Sequence, residues 1–224
     1  VGKSTLFNAL APTAAAQAVN IQPSKESVQL ATDLAAKANS LDALEAAVRS
    51  FTGCNLRQMA SNTVFGRGNT DAKIMIMDAP PAAEEDRSGS PFAGASGEML
   101  SKMLGAIGLG DADCYLASCL PWRPPGGRTP TAEEAAICHP FAARHIQLQQ
   151  PEIVLLCGEA AAFLLQKKEG INKLRGKWTP FGGEDSPVQT LAIFHPNFLM
   201  EHPASKRLAW ADLLKLKAAL NPQP

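Results

Sequence analysis

The sequence predicts an α/β protein: three layers, αβα, around a central four-stranded parallel sheet. Four short apolar runs read as strands: Ala72-Lys-Ile-Met-Ile-Met77, Cys114-Tyr-Leu-Ala-Ser118, Glu152-Ile-Val-Leu-Leu156 and Gln189-Thr-Leu-Ala-Ile-Phe194. Segments with helical spacing separate them, and strands joined by such crossovers pair in parallel with both sheet faces covered. Three polar or Pro-rich loops leave the carboxyl ends, Asp78 to Gly97, Ser118 to Thr131 and His195 to Pro203. Ligands of such sheets bind outside those ends, so the loops should converge on one crevice.

Residues 1–22 are expected to be a poorly ordered remnant or linker, 23–50 a pair of peripheral helices, and 51–224 the main domain. Val28, Leu30 and Leu34 give Ser24 to Ala38 a helical stripe, and Leu41, Leu44 and Val48 give Leu41 to Phe51 another. The first strand runs into the turn Asp78-Ala-Pro-Pro81. A helix over Gly97 to Ile107 carries Met99, Leu100, Met103 and Leu104 on one face. The second strand ends before Pro121. Thr131-Ala-Glu-Glu134 has the form of a capping box and opens a helix to Gln150, with a kink expected at Pro140. The third strand ends at Gly158, where a short Ala-rich helix starts, and the fourth at His195-Pro196. Ser205 to Leu220 closes the chain as a helix.

The chain has 224 residues, 46% of them hydrophobic, enough for one sizeable core. No run of about 18 apolar residues suggests a membrane span, and no secretory signal is expected at the start. Lys plus Arg and Asp plus Glu both number 21, so net charge neither supports nor excludes a nucleic-acid partner; the clustering of charge decides that. The odd count of cysteines, Cys54, Cys114, Cys119, Cys138 and Cys157, with no CxxC pair, suggests reduced, partly buried thiols in a cytoplasmic protein.

Asp78-Ala-Pro-Pro-Ala-Ala-Glu-Glu-Asp-Arg-Ser-Gly-Ser-Pro-Phe-Ala-Gly-Ala-Ser-Gly97, Trp122-Arg-Pro-Pro-Gly-Gly-Arg-Thr-Pro130 and Phe194-His-Pro-Asn197 resemble, in order and spacing, the motifs of the family 4 uracil-DNA glycosylases. Val64-Phe-Gly-Arg-Gly-Asn69, Leu174-Arg-Gly-Lys-Trp178 and Lys206-Arg-x-x-Trp210 also fit. The resemblance covers roughly Phe51 to Leu220. It implies an enzyme of base excision repair that hydrolyses the N-glycosidic bond of uracil or a related deaminated base in DNA, acting as a monomer on a nucleotide flipped into a pocket. It places Asp78 as the carboxylate that orients water and His195 as the donor to the departing base. Ala79, Pro80, Phe92, Ser118 and Asn197 fall where the family binds the base, with Phe92 as its stacking ring. Arg123, Arg128, Lys173, Arg175 and Lys177 lie in the loops as candidate phosphate contacts.

Several positions depart from that pattern. Asp78 replaces a Glu and is one methylene shorter. Ser118 stands where an Asn reads the base edge, and a hydroxyl cannot copy a two-point amide contact. Pro81 replaces a Gly that lets backbone approach the DNA, the segment Met77 to Gly89 is one residue longer, and Glu201 replaces a common Arg. The family usually holds a [4Fe–4S] cluster on four cysteines. Cys54 and Cys138 match two of them, but Phe51 and Trp122 occupy the other two positions, so no cofactor is expected. The same departures leave open a catalytically weak or inactive DNA-binding relative. A third reading, an NTP-binding module, rests on Val1-Gly-Lys-Ser-Thr-Leu-Phe-Asn-Ala-Leu10, which has the second half of a Walker A motif. A working P-loop needs a strand and an earlier Gly ahead of Gly2, so this stretch is expected to be a truncated remnant or a coincidence.

Overall fold

The computed structural model describes residues 25–183 and 187–220; the Walker-like segment and the expected remnant at 1–22 lie outside them. In chain order the described elements are α1 (Lys25–Lys37), α2 (Leu41–Ser50), α3 (Leu56–Met59), β1 (Gly66–Gly68), β2 (Ile74–Asp78), α4 (Ala83–Ser88), α5 (Ala95–Gly105), β3 (Cys114–Ser118) and α6 (Ala132–Gln149). Then come β4 (Ile153–Cys157), α7 (Ala160–Leu164), α8 (Ile171–Leu174), β5 (Trp178–Phe181), β6 (Val188–Ile193), α9 (Pro196–Glu201) and α10 (Lys206–Leu220).

The sheet order is β1-β3-β2-β4-β6-β5. Its centre, β3-β2-β4-β6, is the predicted four-stranded parallel sheet. Two antiparallel edge strands, β1 and β5, extend it to six. Neither edge strand carries an apolar run. β1 is Gly66-Arg67-Gly68, and β5 contains Pro180, which the outer edge of a sheet tolerates because no ladder partner needs its missing N–H.

Side chains alternate along each central strand and feed two cores. Met75, Met77, Tyr115, Ala117, Val154 and Leu156 face one side, where Ile137, Cys138, Phe141 and Ile146 of α6 cover them. Ile74, Ile76, Ile153, Leu155, Leu191 and Ile193 face the other, under Leu100, Met103 and Leu104 of α5 and Leu213 and Leu216 of α10. With helices on both faces, β2 and β4 are buried along their whole length, which is why their sequences read as unbroken apolar runs.

The first two helices are not peripheral. Ala31 and Ala35 of α1 and Leu44 and Val48 of α2 join the same core as Phe51, Phe141 and Trp122. Small residues let α1 lie close against α6. The capping box at α6 forms as the sequence requires: Glu134 N–H donates to Thr131 Oγ1 (3.1 Å) and Thr131 N–H to Glu134 Oε2 (2.8 Å). The helix runs on through Pro140 as one element. No described helix is long and apolar enough to cross a membrane.

Candidate active site

At the carboxyl ends of β2, β4 and β6 the chain turns away from the sheet and leaves a cavity of about 380 Å³. The carboxyl end of β2 supplies Asp78, Ala79 and Pro80 to its lining. The loop after β3 gives Gly127 and Thr129, the turn after β4 gives Gly158 and Glu159, and the end of β6 gives Phe194 and His195. The three predicted loops therefore converge, joined by the turn at Gly158.

Strand alternation sets where Asp78 points. It shares the face of Ile74 and Ile76, the side on which α9 begins. The carboxylate is 4% exposed and both its oxygens are engaged. Oδ1 accepts from the Ala79 N–H at 2.7 Å, and Oδ2 faces His195 Nε2 at 3.1 Å. His195 is the N-cap of α9, and its Nδ1 lies 3.1 Å from the Asn197 backbone nitrogen. A backbone N–H can only donate, so Nδ1 accepts, and Nε2 carries the ring hydrogen that Asp78 receives. Burial disfavours a charged imidazole here. The carboxylates of Asp78, Glu85 and Glu159 outweigh it and push His195 above its ordinary value.

Gly158 holds this arrangement open. It has φ +59°, and a Cβ there would meet His195 Cβ at 2.9 Å. Gly158→Ala is expected to displace the imidazole, strain the turn and lower stability by about 1–2 kcal/mol. Thermal unfolding, together with loss of the His195 ring's NMR signal position, checks this.

The sequence reading assigned no role to Glu85, which organises the neighbouring loop. It is buried, its Oε2 accepts from the Ala82 N–H at 2.7 Å, and its Oε1 accepts from the Phe92 N–H. Desolvation, reinforced by the nearby Asp78 charge, pushes its carboxyl up to about 7. A carboxyl raised in the folded state contributes stability below its ordinary range and loses it as pH rises through about 7. Wild-type protein should thus lose on the order of 2 kcal/mol between pH 5 and 8 from this group. Glu85→Gln should flatten that slope. Urea unfolding across the pH range checks it, and the slope, not the absolute stability, is the readout.

Of the other predicted base-binding residues, Ala79, Pro80 and Asn197 line the cavity. Phe92 does not. Its buried ring, at backbone φ +51°, runs nearly parallel to the imidazole, with centroids 6.1 Å apart and planes 10° from parallel. Ser118 is beside Asp78 in the β2–β3 register, but its Oγ donates to Leu120 O at 2.7 Å and it does not reach the cavity. The aromatic lining comes instead from Phe194 and Phe198, stacked at 4.8 Å. Phe198 follows the His-Pro motif, and only the helical register of the short α9 turns it inward, so no sequence motif marks it.

The predicted phosphate contacts divide. Arg128 forms a bidentate pair with Glu134 (2.8 and 2.6 Å), which pushes the guanidinium up and the carboxyl down. Arg175 pairs with buried Asp212 at 2.6 Å, donates to Leu208 O and lies over the Phe194 ring. Lys173 is exposed on α8, as is Lys177 beyond it. Arg123 Nε is buried without a hydrogen-bond partner among the described residues.

Cys54 and Cys138 are buried neighbours. A hydrogen bond from the Cys138 thiol holds Cys54 down, while burial pushes Cys138 up. Phe51 and Trp122 are buried beside them as a stacked pair, centroids 6.2 Å apart, and Trp122 Nε1 donates to Thr63 Oγ1 at 3.1 Å. Among the described residues no three His, Cys, Asp or Glu side chains are grouped to hold a metal ion.

The family model described as the uracil DNA glycosylase superfamily matches residues 65–214. A type-4 uracil-DNA glycosylase of Thermotoga maritima is 33% identical over 175 residues, covering 76% of this chain and 90% of that protein. One from Saccharolobus solfataricus is 30% identical over 192 residues, covering 83% and 89%. A third, from Archaeoglobus fulgidus, is 32% identical over 182 residues, covering 79% and 92%.

Proposed function

The chain belongs to the uracil DNA glycosylase superfamily, and on that basis we propose that it hydrolyses the N-glycosidic bond of uracil, or a related deaminated base, in DNA. The observation that carries this reading is the contact between Asp78 and His195 on the wall of the cavity. A flipped nucleotide enters there, since a base within a duplex presents no access to its glycosidic bond.

The carbonyl oxygen of the bound base takes over the Nε2–H bond that Asp78 receives in the free protein. That exchange releases Asp78 Oδ2 to hold the attacking water. The bond between C1′ and the base nitrogen breaks, and its electron pair leaves with the base. His195 stabilises the developing oxyanion with a hydrogen bond already in place before the reaction. The water oxygen bonds to C1′, and its proton passes through Asp78 to the departing base. Phe198 offers the base an aromatic face. The ring of Phe92, expected as that face, runs nearly parallel to the imidazole, with centroids 6.1 Å apart. Asn197 is the cavity-lining amide available to the base edge, because Ser118 is turned into its own loop. Among the described residues, Arg123, Lys173 and Lys177 are the predicted phosphate contacts that no carboxylate pairs with. We read the protein as acting as a monomer, a reading supported by one chain supplying each of these residues.

A four-thiolate cluster does not fit the residues present. Cys54 and Cys138 are two thiols only, the rings of Phe51 and Trp122 pack in the same core where the other two ligands would be needed, and the Cys119 thiol is directed at Met77 Sδ, 3.9 Å away. We therefore assign no cofactor and route no step through one.

The experiment is to incubate the protein with single-stranded oligonucleotides containing one uracil or one thymine. Alkali-labile abasic product from the uracil strand alone is the expected result. Binding without product would support the inactive DNA-binding reading instead.

A further inference from the structure

The cavity continues past Pro80. Ala79, Pro80, Thr129, Glu159 and Ile171 also line a second depression of about 520 Å³, so the two share a wall. The second depression has a different character. Pro130, Ala135, Ala162 and half-buried Phe163 supply its apolar lining, and exposed Lys167 and Lys168 complete it. Glu159 and Glu169 also line it, yet neither lysine forms an ion pair with them among the described residues. The lysines thus remain available to an outside anion.

We propose that this second depression seats the nucleotide next to the extruded one on the same DNA strand, with its base against Phe163 and Pro130 and its phosphates at Lys167 and Lys168. The inference rests on the glycosylase reading and adds a place on the chain for the neighbouring nucleotide of the same strand. A nucleotide drawn into the cavity is covalently tied to its neighbours, so the strand must leave along a path continuous with the cavity. Here that path combines an aromatic face, which takes any base, with cations for the backbone, the usual pairing in sequence-tolerant single-strand grooves. The depression could hold a nucleotide without excluding one from the cavity, because the two volumes only share a wall.

The test measures affinity for uracil-free single-stranded oligonucleotides across a range of salt, for the wild-type chain, the double variant Lys167→Glu/Lys168→Glu, and Phe163→Ala. Removing two phosphate contacts should reduce the slope of log affinity against log salt by about 1.4. Phe163→Ala should leave the slope unchanged and weaken binding about tenfold. In a cleavage series, substrates lengthened one nucleotide at a time on either side of the uracil should gain efficiency on one side only. The lysine variant should lose that gain while cleaving the shortest substrate normally. Both lysines and residues 166–170 around them are exposed, so the lysine variant should melt as the wild type does, which excludes misfolding as the cause of its slope change. An unchanged salt slope with normal uracil release overturns the docking proposal and leaves the glycosylase reading standing. A reduced slope in a chain that releases no uracil does the reverse.

Discussion

Replacing His195 with alanine should lower the rate of uracil release about 10²–10³-fold, the usual effect of removing one donor aimed at a developing oxyanion. The loss should fall on kcat, since the Nε2–H bond strengthens as charge builds on the base and contributes little to ground-state binding. KM should change little, because Phe198, Asn197 and the backbone at Ala79 and Pro80 still line the cavity. The same substitution removes the acceptor for the Asn197 N–H at the start of α9. That lost cap should cost about 1 kcal/mol of stability, too little to explain the rate by unfolding. Single-turnover kinetics separate the two effects. A stability loss without a rate loss would assign His195 a capping role alone.

The second large effect concerns stability. Trp122→Ala should destabilise the fold by about 3–5 kcal/mol. Trp122 is fully buried, stacks on Phe51, and gives its indole N–H to Thr63. Truncation removes the ring contacts, leaves a void beside Cys54 and Cys138, and deprives the buried Thr63 hydroxyl of its donor. Phe51 sits at the carboxyl end of α2, so the loss should loosen α1 and α2 first. Denaturant unfolding followed by hydrogen exchange should show protection falling earliest over residues 25–50. A loss below about 1 kcal/mol would mean that the neighbouring side chains collapse into the space, and that the aromatic pair is not what holds this region together.

Much of this was legible in the sequence because buried parallel strands announce themselves. The apolar runs of β2 and β4, and the mostly apolar β3 and β6 beside them, mark the sheet's centre. Asp78 and His195 each stand where an apolar strand stops, so both could be placed at the same edge. Positions set by contacts far apart in sequence were harder to read. Glu85 looked like one acid of a charged stretch, yet it is buried because two backbone N–H groups, from Ala82 and Phe92, converge on it. Arg128 and Arg175 resembled free loop cations, but Glu134 and Asp212 meet them from helices. Ser118 was read from its place at a strand end, whereas its hydroxyl satisfies a carbonyl two residues on. The strands β1 and β5 escaped notice because edge strands need no apolar alternation on their open side. The alanines of α1 gave no strong apolar stripe, although their small size is what lets that helix pack into the core.

The central claim is that Asp78 and His195 act as one unit on a base held in the cavity. A double-mutant cycle on uracil release, with Asp78→Asn, His195→Ala and the two combined, tests it most directly. If the pair works as a unit, the combined variant should be about as slow as the slower single variant, because either change alone already disables the shared step. Losses that multiply in the combined variant, or a single variant that retains the wild-type rate, would contradict it.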